Sequence, residues 1–158
     1  MIRIGHAHDT HRLVEGRSLI LGGVLIEHPK GLLGHSDADV VYHVVAEAII
    51  GALGMGDLGT HFPDTDPKYF NKDSSYFVIE AVQMMKQAGY HVNNIDLTIF
   101  CEKPILKNVK PLMRVHVSEL LETSLEQVNI KATRGEGLGF IGREEGISAE
   151  AVVLIETI

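Results

Sequence analysis

Histidines and acids near the start of the chain have the types and spacing that bind a divalent metal. The sequence holds nine histidines in 158 residues, and Asp9 and His11 stand two residues apart. In an extended segment that spacing places both side chains on one face, with His6 and His8 on the other. A carboxylate and an imidazole suit a cation such as zinc, but a third ligand must come from elsewhere. Taken alone, such a pair is more often a polar strand end than a metal site.

A second polar group begins at His35 and ends at His43. Ser36 and Asp39 have the spacing of a capping box, which predicts that Ser36 caps a helix starting here. On that helix His43 lies one turn after Asp39 and one turn before Glu47, so it could supply the third metal ligand. His35 would lie at the helix N-terminus, where the dipole favours anions such as phosphate. The alternative is a capping role alone for the first pair and a hydrogen bond between His43 and Glu47.

Two loops carry groups suited to a phosphorylated polyol. In residues 57–66, three aspartates could bind hydroxyls or a hard cation, although a solvated turn has the same composition. In residues 133–140, glycines let backbone N–H groups approach an anion, and Arg134 adds a forked cation. Glu136 could hold Mg²⁺ or Mn²⁺ that also bridges phosphates, although a simple glycine-rich turn is an equal alternative. Together with the candidate metal ligands, the composition of these loops indicates a protein that carries out metal-assisted chemistry on a phosphorylated small molecule.

The elements that must position these residues alternate strands with helices. Strands are predicted at Ile2–Thr10, Ser18–Leu21, Val24–Ile26, Val92–Cys101, Val128–Ala132 and Ile147–Ile155, with a Gly-Gly turn joining the second and third. Helices are predicted from Ser36 to the glycines at 51 and 54, at Ser74–Gln87 and at about Val109–Leu121, with a long loop at Gly54–Lys72. This order predicts an α+β fold, a single domain in which helices pack on one face of a mixed β-sheet. The other face would need cover, which favours an oligomer.

Composition excludes several classes of partner. The chain is 45% hydrophobic and carries 21 acids against 14 Lys and Arg, a formal net charge of −7, so nucleic acid is not expected to bind. No apolar stretch approaches the ~20 residues that cross a bilayer, and no signal peptide is visible, so we expect a cytoplasmic protein without membrane contact. A plastid location is the alternative if a transit peptide has been removed. The single cysteine, Cys101, permits no disulfide within the chain.

Four segments, in this order, resemble the 2-C-methyl-D-erythritol 2,4-cyclodiphosphate synthase family. They are Arg3–His6 with Asp9 and His11; Lys30–Val40 with His43; Gly56–Gly59 with His61–Asp66; and Asn129–Thr133 with Leu138–Phe140, Gly142–Arg143 and Glu145–Ile147. The segments cover nearly the whole chain, so the resemblance is far more specific than any single motif. It implies one cyclodiphosphate synthase-like domain over residues 1–158.

The resemblance also implies an activity. The enzyme would be a phosphorus-oxygen lyase of non-mevalonate isoprenoid (terpenoid) biosynthesis, acting on 4-diphosphocytidyl-2-C-methyl-D-erythritol 2-phosphate. Its 2-phosphate would attack the β-phosphorus, forming the 2,4-cyclodiphosphate and releasing CMP. The resemblance implies a homotrimer with active sites between neighbouring subunits. Zinc, or another divalent transition metal, would be bound by Asp9, His11 and His43, and Mg²⁺ or Mn²⁺ by Glu136 together with the substrate diphosphate.

Site residues are implied by the same resemblance. His35 and Arg134 would be catalytic, Asp57 and the 62–66 loop would hold the erythritol, and residues 101–107 with Ala132 and Thr133 would form the cytidine pocket. The full implied substrate-binding set is Asp9, His11, His35, Ser36, Asp57, Leu58, Gly59, Phe62, Pro63, Asp64, Thr65, Asp66, Cys101, Lys103, Ile105, Leu106, Lys107, Ala132, Thr133, Arg134, Gly135, Glu136, Phe140 and Arg143.

The sequence departs from the family pattern at several positions. His8 stands where the family usually has an aromatic, Glu47 where it has a shorter acid, and Arg134 where it has a threonine. These differences leave two alternatives: a related trimeric metal enzyme with another nucleotide preference, or a trimer that binds metal or isoprenoid phosphate without catalysis. For the second alternative, Arg143 and Glu145 would line a cavity on the trimer axis.

Overall fold

The structure is a computed structural model that describes residues 1–158, and it contains seven strands and five α-helices. The strands are β1 (Ile2–Glu15), β2 (Leu19–Leu21), β3 (Val24–Ile26), β4 (Lys30–Leu32), β5 (Tyr90–Phe100), β6 (Val128–Thr133) and β7 (Gly146–Thr157). The helices are α1 (Val40–Leu53), α2 (Leu58–His61), α3 (Ser75–Gln87), α4 (Lys110–Leu120) and α5 (Gly139–Gly142), with 3-10 turns at Pro67–Tyr69 and Leu125–Gln127.

Five of the strands form one mixed sheet in the order β4-β1-β7-β5-β6, and β2 pairs with β3 in a separate hairpin. The β1–β4, β1–β7 and β5–β7 pairs are antiparallel, whereas β5 and β6 run parallel. The predicted α+β fold, a mixed sheet with helices on one face, is therefore confirmed. No helix is long and apolar enough to cross a membrane.

Helix α1 is the central helix of the molecule. Its sequence is apolar on nearly every side, and nearly all of its residues are buried, as expected for a helix packed on several sides. It approaches β1 so closely that a Cβ at Gly5 would lie 1.9 Å from the carbonyl oxygen of Ala48. Side chains on the inner face of β1, including those of Asp9 and His11, therefore lie next to this helix.

The opposite face of the sheet has no helix over it. Ile2, Ile4 and Val152 lie on this face and are 63%, 68% and 41% exposed. Large apolar side chains clustered on an open sheet face are typical of an interaction surface. The expectation that this face needs cover thus has a physical basis in the exposed residues.

The start of α1 differs from the prediction. Asp39, not Ser36, is the N-cap, and its carboxylate accepts hydrogen bonds from the N–H groups of Val41 and Tyr42. The same carboxylate accepts from Gly22 and Gly23 in the turn between β2 and β3. Asp39 is the N-cap because its fully buried carboxylate accepts hydrogen bonds from four backbone N–H groups, two in the helix and two in the turn. Its side chain thereby ties the hairpin to the helix.

Other boundaries also differ. β1 runs on to Glu15 because its end pairs with β4, a strand that the sequence analysis did not predict. The predicted loop at 54–72 contains α2, which begins after the N-cap Asp57, and a 3-10 turn after Asp66. The glycine-rich segment likewise contains a short helix, α5. These elements are too short to produce a periodic pattern.

Candidate metal centre and substrate cavity

A cavity of about 520 Å³ opens beside the N-terminal half of α1. Its walls come from the inner face of β1, the segment before α1, α1 itself, α2 with the residues after it, and α3. The predicted site residues that line it are Asp9, His11, His35, Ser36, His43, Leu58, Gly59, Phe62, Pro63 and Asp64. Gly34, Tyr69 and Phe77 also line it and were not predicted. The aromatic character of Phe77 on the inner face of the predicted helix 74–87 was the available signal.

Three ligand atoms converge at one end of this cavity. Asp9 Oδ2 lies 2.9 Å from His11 Nε2 and 3.3 Å from His43 Nδ1, and the two nitrogens are 3.2 Å apart. A tetrahedral zinc ion with bonds of ~2.0–2.1 Å has neighbouring ligand atoms roughly 3.3 Å apart. The three atoms therefore have the separations of three corners of such a site, and this group could hold a metal ion.

The orientation of His11 is fixed from outside the group. Its Nδ1 lies 2.9 Å from the carbonyl oxygen of Leu33, which can only accept, so Nδ1 carries a proton. In the neutral ring Nε2 then presents its lone pair to the centre of the group. This is the arrangement of a metal-binding histidine, whose second nitrogen commonly donates to a carbonyl or carboxylate.

The same group has coupled protonation in the metal-free chain. Burial would raise the pKa of Asp9, but the hydrogen bond from His11 and the nearby ring of His43 outweigh burial and hold that pKa well below its ordinary value. Burial would lower the pKa of His11, and the hydrogen bond with Asp9 raises it instead. A proton shared between an acid and a histidine occupies the place that a cation takes, so metal binding here releases a proton.

His43 reaches the group from the first turns of α1 and is buried. Its outer nitrogen, Nε2, lies 2.9 Å from Ser74 Oγ and 3.1 Å from Ser36 Oγ. The alternative prediction of a hydrogen bond between His43 and Glu47 is wrong, because Glu47 Oε1 accepts from the N–H of Leu58 instead. Glu47 therefore holds the beginning of α2 against α1.

The predicted erythritol loop lies only partly in the cavity. Leu58, Gly59, Phe62, Pro63 and Asp64 line the cavity, whereas three predicted neighbours do not: Asp57, Thr65 and Asp66. The Asp57 carboxylate caps α2, accepting from the N–H and hydroxyl of Thr60, which lowers the pKa of this exposed acid. The carbonyl oxygen of Asp66 lies 3.0 Å from His35 Nε2, so this loop orients the predicted catalytic histidine.

The remaining predicted residues form a second cluster at the ends of β5 and β6. The backbone N–H of Cys101 donates to Thr133, and Glu102 accepts from the N–H of Gly135. Arg134 Nε lies 3.8 Å from Glu102 Oε2. None of the predicted residues of this cluster lines the cavity of the same chain: Cys101, Lys103, Ile105, Leu106, Lys107, Ala132, Thr133, Arg134, Gly135, Glu136, Phe140 and Arg143.

Glycines let this second cluster fold tightly on itself. A Cβ at Gly135 would lie 2.7 Å from the backbone nitrogen of Gly142, and a Cβ at Gly142 would lie 2.2 Å from the carbonyl carbon of Gly137. Residues 133–140 were predicted to be either a phosphate-binding loop or a simple glycine-rich turn. The segment forms a compact turn, and it also presents exposed polar groups. The exposed Glu136 carboxylate has no hydrogen bond or ion pair within the chain, and free carboxylate oxygens suit Mg²⁺ or Mn²⁺.

Burial separates the side chains of the second cluster. Cys101 and Leu106 are buried, whereas Ile105 and Phe140 are 75% and 42% exposed. Burial, followed by the nearby charges of Glu102 and Glu144, raises the pKa of Cys101 to about 12. The thiol therefore stays protonated at neutral pH, and it packs as a small apolar side chain and does not act as a nucleophile.

The fold and the Asp-His-His group define an α+β protein with a site that could hold a metal ion, and comparison identifies the family. The chain belongs to the YgbB family, whose model matches residues 2–156. It is 54% identical over 156 residues to the 2-C-methyl-D-erythritol 2,4-cyclodiphosphate synthase of Shouchella clausii (strain KSM-K16), covering 99% of this chain and 98% of the relative. The family membership that the four sequence segments indicated is therefore confirmed.

Solved structures give the same result. A 2C-methyl-D-erythritol-2,4-cyclodiphosphate synthase in a CDP-bound form has a TM-score of 0.90 and 34% identity, with 98% of this chain and 100% of that chain covered. The bifunctional IspDF from Campylobacter jejuni has a TM-score of 0.96 and 37% identity. That alignment covers 100% of this chain, which spans 43% of the length of the bifunctional protein.

Proposed function

We propose that this chain is a 2-C-methyl-D-erythritol 2,4-cyclodiphosphate synthase. It converts 4-diphosphocytidyl-2-C-methyl-D-erythritol 2-phosphate to the 2,4-cyclodiphosphate and releases CMP. The observation that carries the proposal is the group formed by Asp9, His11 and His43 at the end of a cavity, in a chain 54% identical to a named synthase over nearly its full length. Such a group is what chemistry between two phosphates of one substrate requires.

The reaction exchanges one phosphorus–oxygen bond for another. An oxygen of the 2-phosphate bonds to the β-phosphorus, and the bond from that phosphorus to the bridging oxygen of CMP breaks, with the electron pair leaving on CMP. Both reacting groups are anions, so the main barrier is their repulsion and their alignment. No protein nucleophile is needed, and the protein contributes by holding both ends of one substrate.

Divalent metals would supply positive charge at two places. Asp9, His11 and His43 would hold zinc or another divalent transition metal, and Glu136 together with the substrate diphosphate would hold Mg²⁺ or Mn²⁺; the chemistry that such ions would supply is neutralisation and polarisation of phosphate oxygens. The separations of the first group fit zinc, and the free carboxylate of Glu136 fits a hard cation.

The chain's own polar groups would then orient the substrate. His35 and Ser36 line the cavity next to the metal group, where a phosphate would lie. Asp64 also lines the cavity and can accept hydrogen bonds from erythritol hydroxyls. Phe62, Tyr69 and Phe77 form an aromatic group in the same lining, and Phe77 also packs against the ring of His43, so this group would limit the access of water to the reacting atoms.

A homotrimer with sites between subunits would unite the two clusters. The cavity holds Asp9, His11 and His43 with part of the predicted erythritol loop, but Glu136 and the predicted nucleotide residues lie in the 101–107 and 132–143 segments outside it. The open sheet face with Ile2, Ile4 and Val152 offers the apolar surface that such an assembly would bury. We propose that the second cluster of one subunit completes the cavity of its neighbour and binds the CDP part of the substrate.

A turnover assay followed by phosphorus NMR tests the proposed function. The full chain is mixed with 4-diphosphocytidyl-2-C-methyl-D-erythritol 2-phosphate, Zn²⁺ and Mg²⁺, and appearance of both CMP and the cyclic diphosphate is expected. Binding of CDP, ADP and GDP measured in parallel tests the nucleotide preference, with CDP expected to bind most tightly. Zinc bound by an assembled protein that gives neither product would contradict the proposal and favour a binding protein without catalysis.

A further inference from the structure

The group that faces the outer nitrogen of His43 is a chain of hydrogen bonds, not a single contact. Ser74, immediately before α3, places its hydroxyl oxygen 2.9 Å from His43 Nε2. The same hydroxyl also hydrogen-bonds to the carboxylate of Asp37. Asp37, Ser74 and His43 therefore form a continuous path from a carboxylate to the metal-ligand group.

The direction of each hydrogen bond in this path follows from which atoms can donate. A carboxylate only accepts, so the Ser74 hydroxyl must donate its one proton to Asp37. Having given that proton away, the Ser74 oxygen can only accept from His43 Nε2. The Nε2 atom is then the protonated nitrogen of a neutral His43, and Nδ1 presents its lone pair to Asp9 and His11.

Ser74 and His43 are buried and Asp37 is partly buried, and each makes several hydrogen bonds within the chain. Ser74 is completely buried, and its own backbone N–H donates to Asp37 Oδ2 at 3.1 Å. Asp37 Oδ1 also accepts from the backbone N–H of Asp39, at the start of α1. Asp37 thus joins the start of α1, which carries His43, to the start of α3, which carries Ser74. Neither Asp37 nor Ser74 lines the cavity, so their effect on the site is exerted through His43.

We propose that Asp37 and Ser74 are positioning residues that fix His43 with its proton on Nε2 and its lone pair on Nδ1, and so strengthen metal binding by Asp9, His11 and His43. The inference rests on the metal site of the proposed function. A histidine ligand whose outer N–H is held by an acceptor has a fixed ring orientation and a more basic coordinating nitrogen. Here the acceptor is a hydroxyl whose oxygen is polarised by a carboxylate.

Zinc affinity measured by competition with a chelating dye tests the proposal. Ser74→Ala removes the nearer acceptor and the link to Asp37, leaving only Ser36 Oγ at 3.1 Å, and the affinity is expected to fall about 10- to 100-fold, the usual cost of losing such a partner. Asp37→Asn keeps the shape but removes the charge, and a smaller loss in the same direction is expected. Ser74→Thr keeps the hydroxyl and is expected to bind zinc more tightly than Ser74→Ala.

Ser118→Ala is the matched control. Ser118 is also a buried serine, but its hydroxyl donates within α4 to the carbonyl of Val115, away from the metal group. Its loss removes the same atoms from the core and should leave zinc affinity unchanged. If Ser74→Ala binds zinc as tightly as the unaltered chain, or if Ser118→Ala weakens it equally, the positioning role is overturned.

Nitrogen NMR of the histidine rings separates this proposal from the proposed function. In the metal-free chain His43 is expected to carry its proton on Nε2, and Ser74→Ala is expected to shift the ring to a mixture of tautomers. A His43 that carries its proton on Nδ1 in the unaltered chain contradicts the proposal whatever the zinc affinity. An unaltered chain with the expected tautomer that binds no zinc overturns the proposed metal site and leaves the hydrogen-bond path standing.

Discussion

The two parts of the proposed active site are built in opposite ways. The metal-ligand group is carried by the long strand β1 and the central helix α1, and each of its imidazoles has a partner on its outer side. The second cluster, residues 101–107 and 132–143, lies at strand ends and in a glycine-rich turn. Arg134, its principal cation, is 55% exposed and its nearest acid atom is 3.8 Å away.

This difference in construction indicates that a single chain completes the metal-ligand group but not the second cluster. Ligand atoms that must lie about 3 Å apart need elements fixed by the core, because small errors in position weaken metal binding strongly. Groups that bind a flexible diphosphate and nucleotide can be ordered by the substrate or by a neighbouring subunit. We therefore expect changes in the first part to affect metal binding and stability, and changes in the second to affect turnover alone.

The largest effect is expected for His43→Ala. It removes one of three ligands, and if each contributes about a third of a zinc binding free energy of ~10–16 kcal/mol, the affinity falls roughly 300- to 8000-fold. Turnover should be lost with it, and chelator competition and the product assay measure the two effects. His91→Ala is the control, since His91 is exposed and pairs with Glu156 far from the cavity. Equal loss in both variants would contradict the ligand role.

Asp39→Ala should be the next largest change, on stability. It removes the acceptor for four backbone N–H groups, including those of Gly22 and Gly23, in a fully buried place. We expect a loss of about 3 kcal/mol in the free energy of unfolding, measured by chemical denaturation at one protein concentration. Asp57→Ala removes the exposed cap of the short helix α2 and should shift the midpoint much less. Equal shifts of the denaturation midpoint in the two variants would show that burial of the capping carboxylate does not determine the loss of stability.

Arg134→Ala tests the second part of the site. Loss of a cation that contacts a diphosphate is expected to lower kcat/KM about 100-fold, while zinc affinity stays unchanged. Arg134→Lys should recover part of the activity, because it keeps the charge but not the fork. If zinc affinity falls along with turnover, the metal-ligand group and the second cluster are not independent.

The smallest change is expected for Gly142→Ala. The new Cβ would lie 2.2 Å from the backbone of Gly137, so the turn must open slightly and the groups on it must move. We expect about a 10-fold loss of turnover, as misplacement of positioning groups produces, with zinc affinity unchanged. Gly51→Ala is the control, because a Cβ there meets nothing within 4 Å.

The sequence predicted best what regular periodicity controls. The two-residue spacing of Asp9 and His11 placed both on the inner face of β1, and the helical spacing brought His43 to the same point. The N-cap was predicted at Ser36, because local spacing cannot show that Asp39 also serves the β2–β3 turn. The contact of Ser74 with His43 spans 31 residues between two helices, and no local pattern encodes it.

The glycine-rich segment was the least predictable part of the site. Its composition fits a phosphate cradle and a simple turn equally well, and α5 has too few residues for a periodic signal. The family resemblance supplied the functional interpretation there, and the chain departs from the family pattern at Arg134. Whether that segment belongs to the same active site depends on a neighbouring subunit, which one sequence does not describe.

Complementation between two inactive variants tests this division of the site most directly. His43→Ala and the double variant Arg134→Ala/Glu136→Ala are produced together with different tags, and assemblies that carry both tags are purified. In every trimer that carries both tags, only one of the three sites joins an intact cavity of one variant to an intact loop of the other, so about a third of the normal turnover is expected. Mixed assemblies no more active than the two parents would show that the site is not shared between subunits.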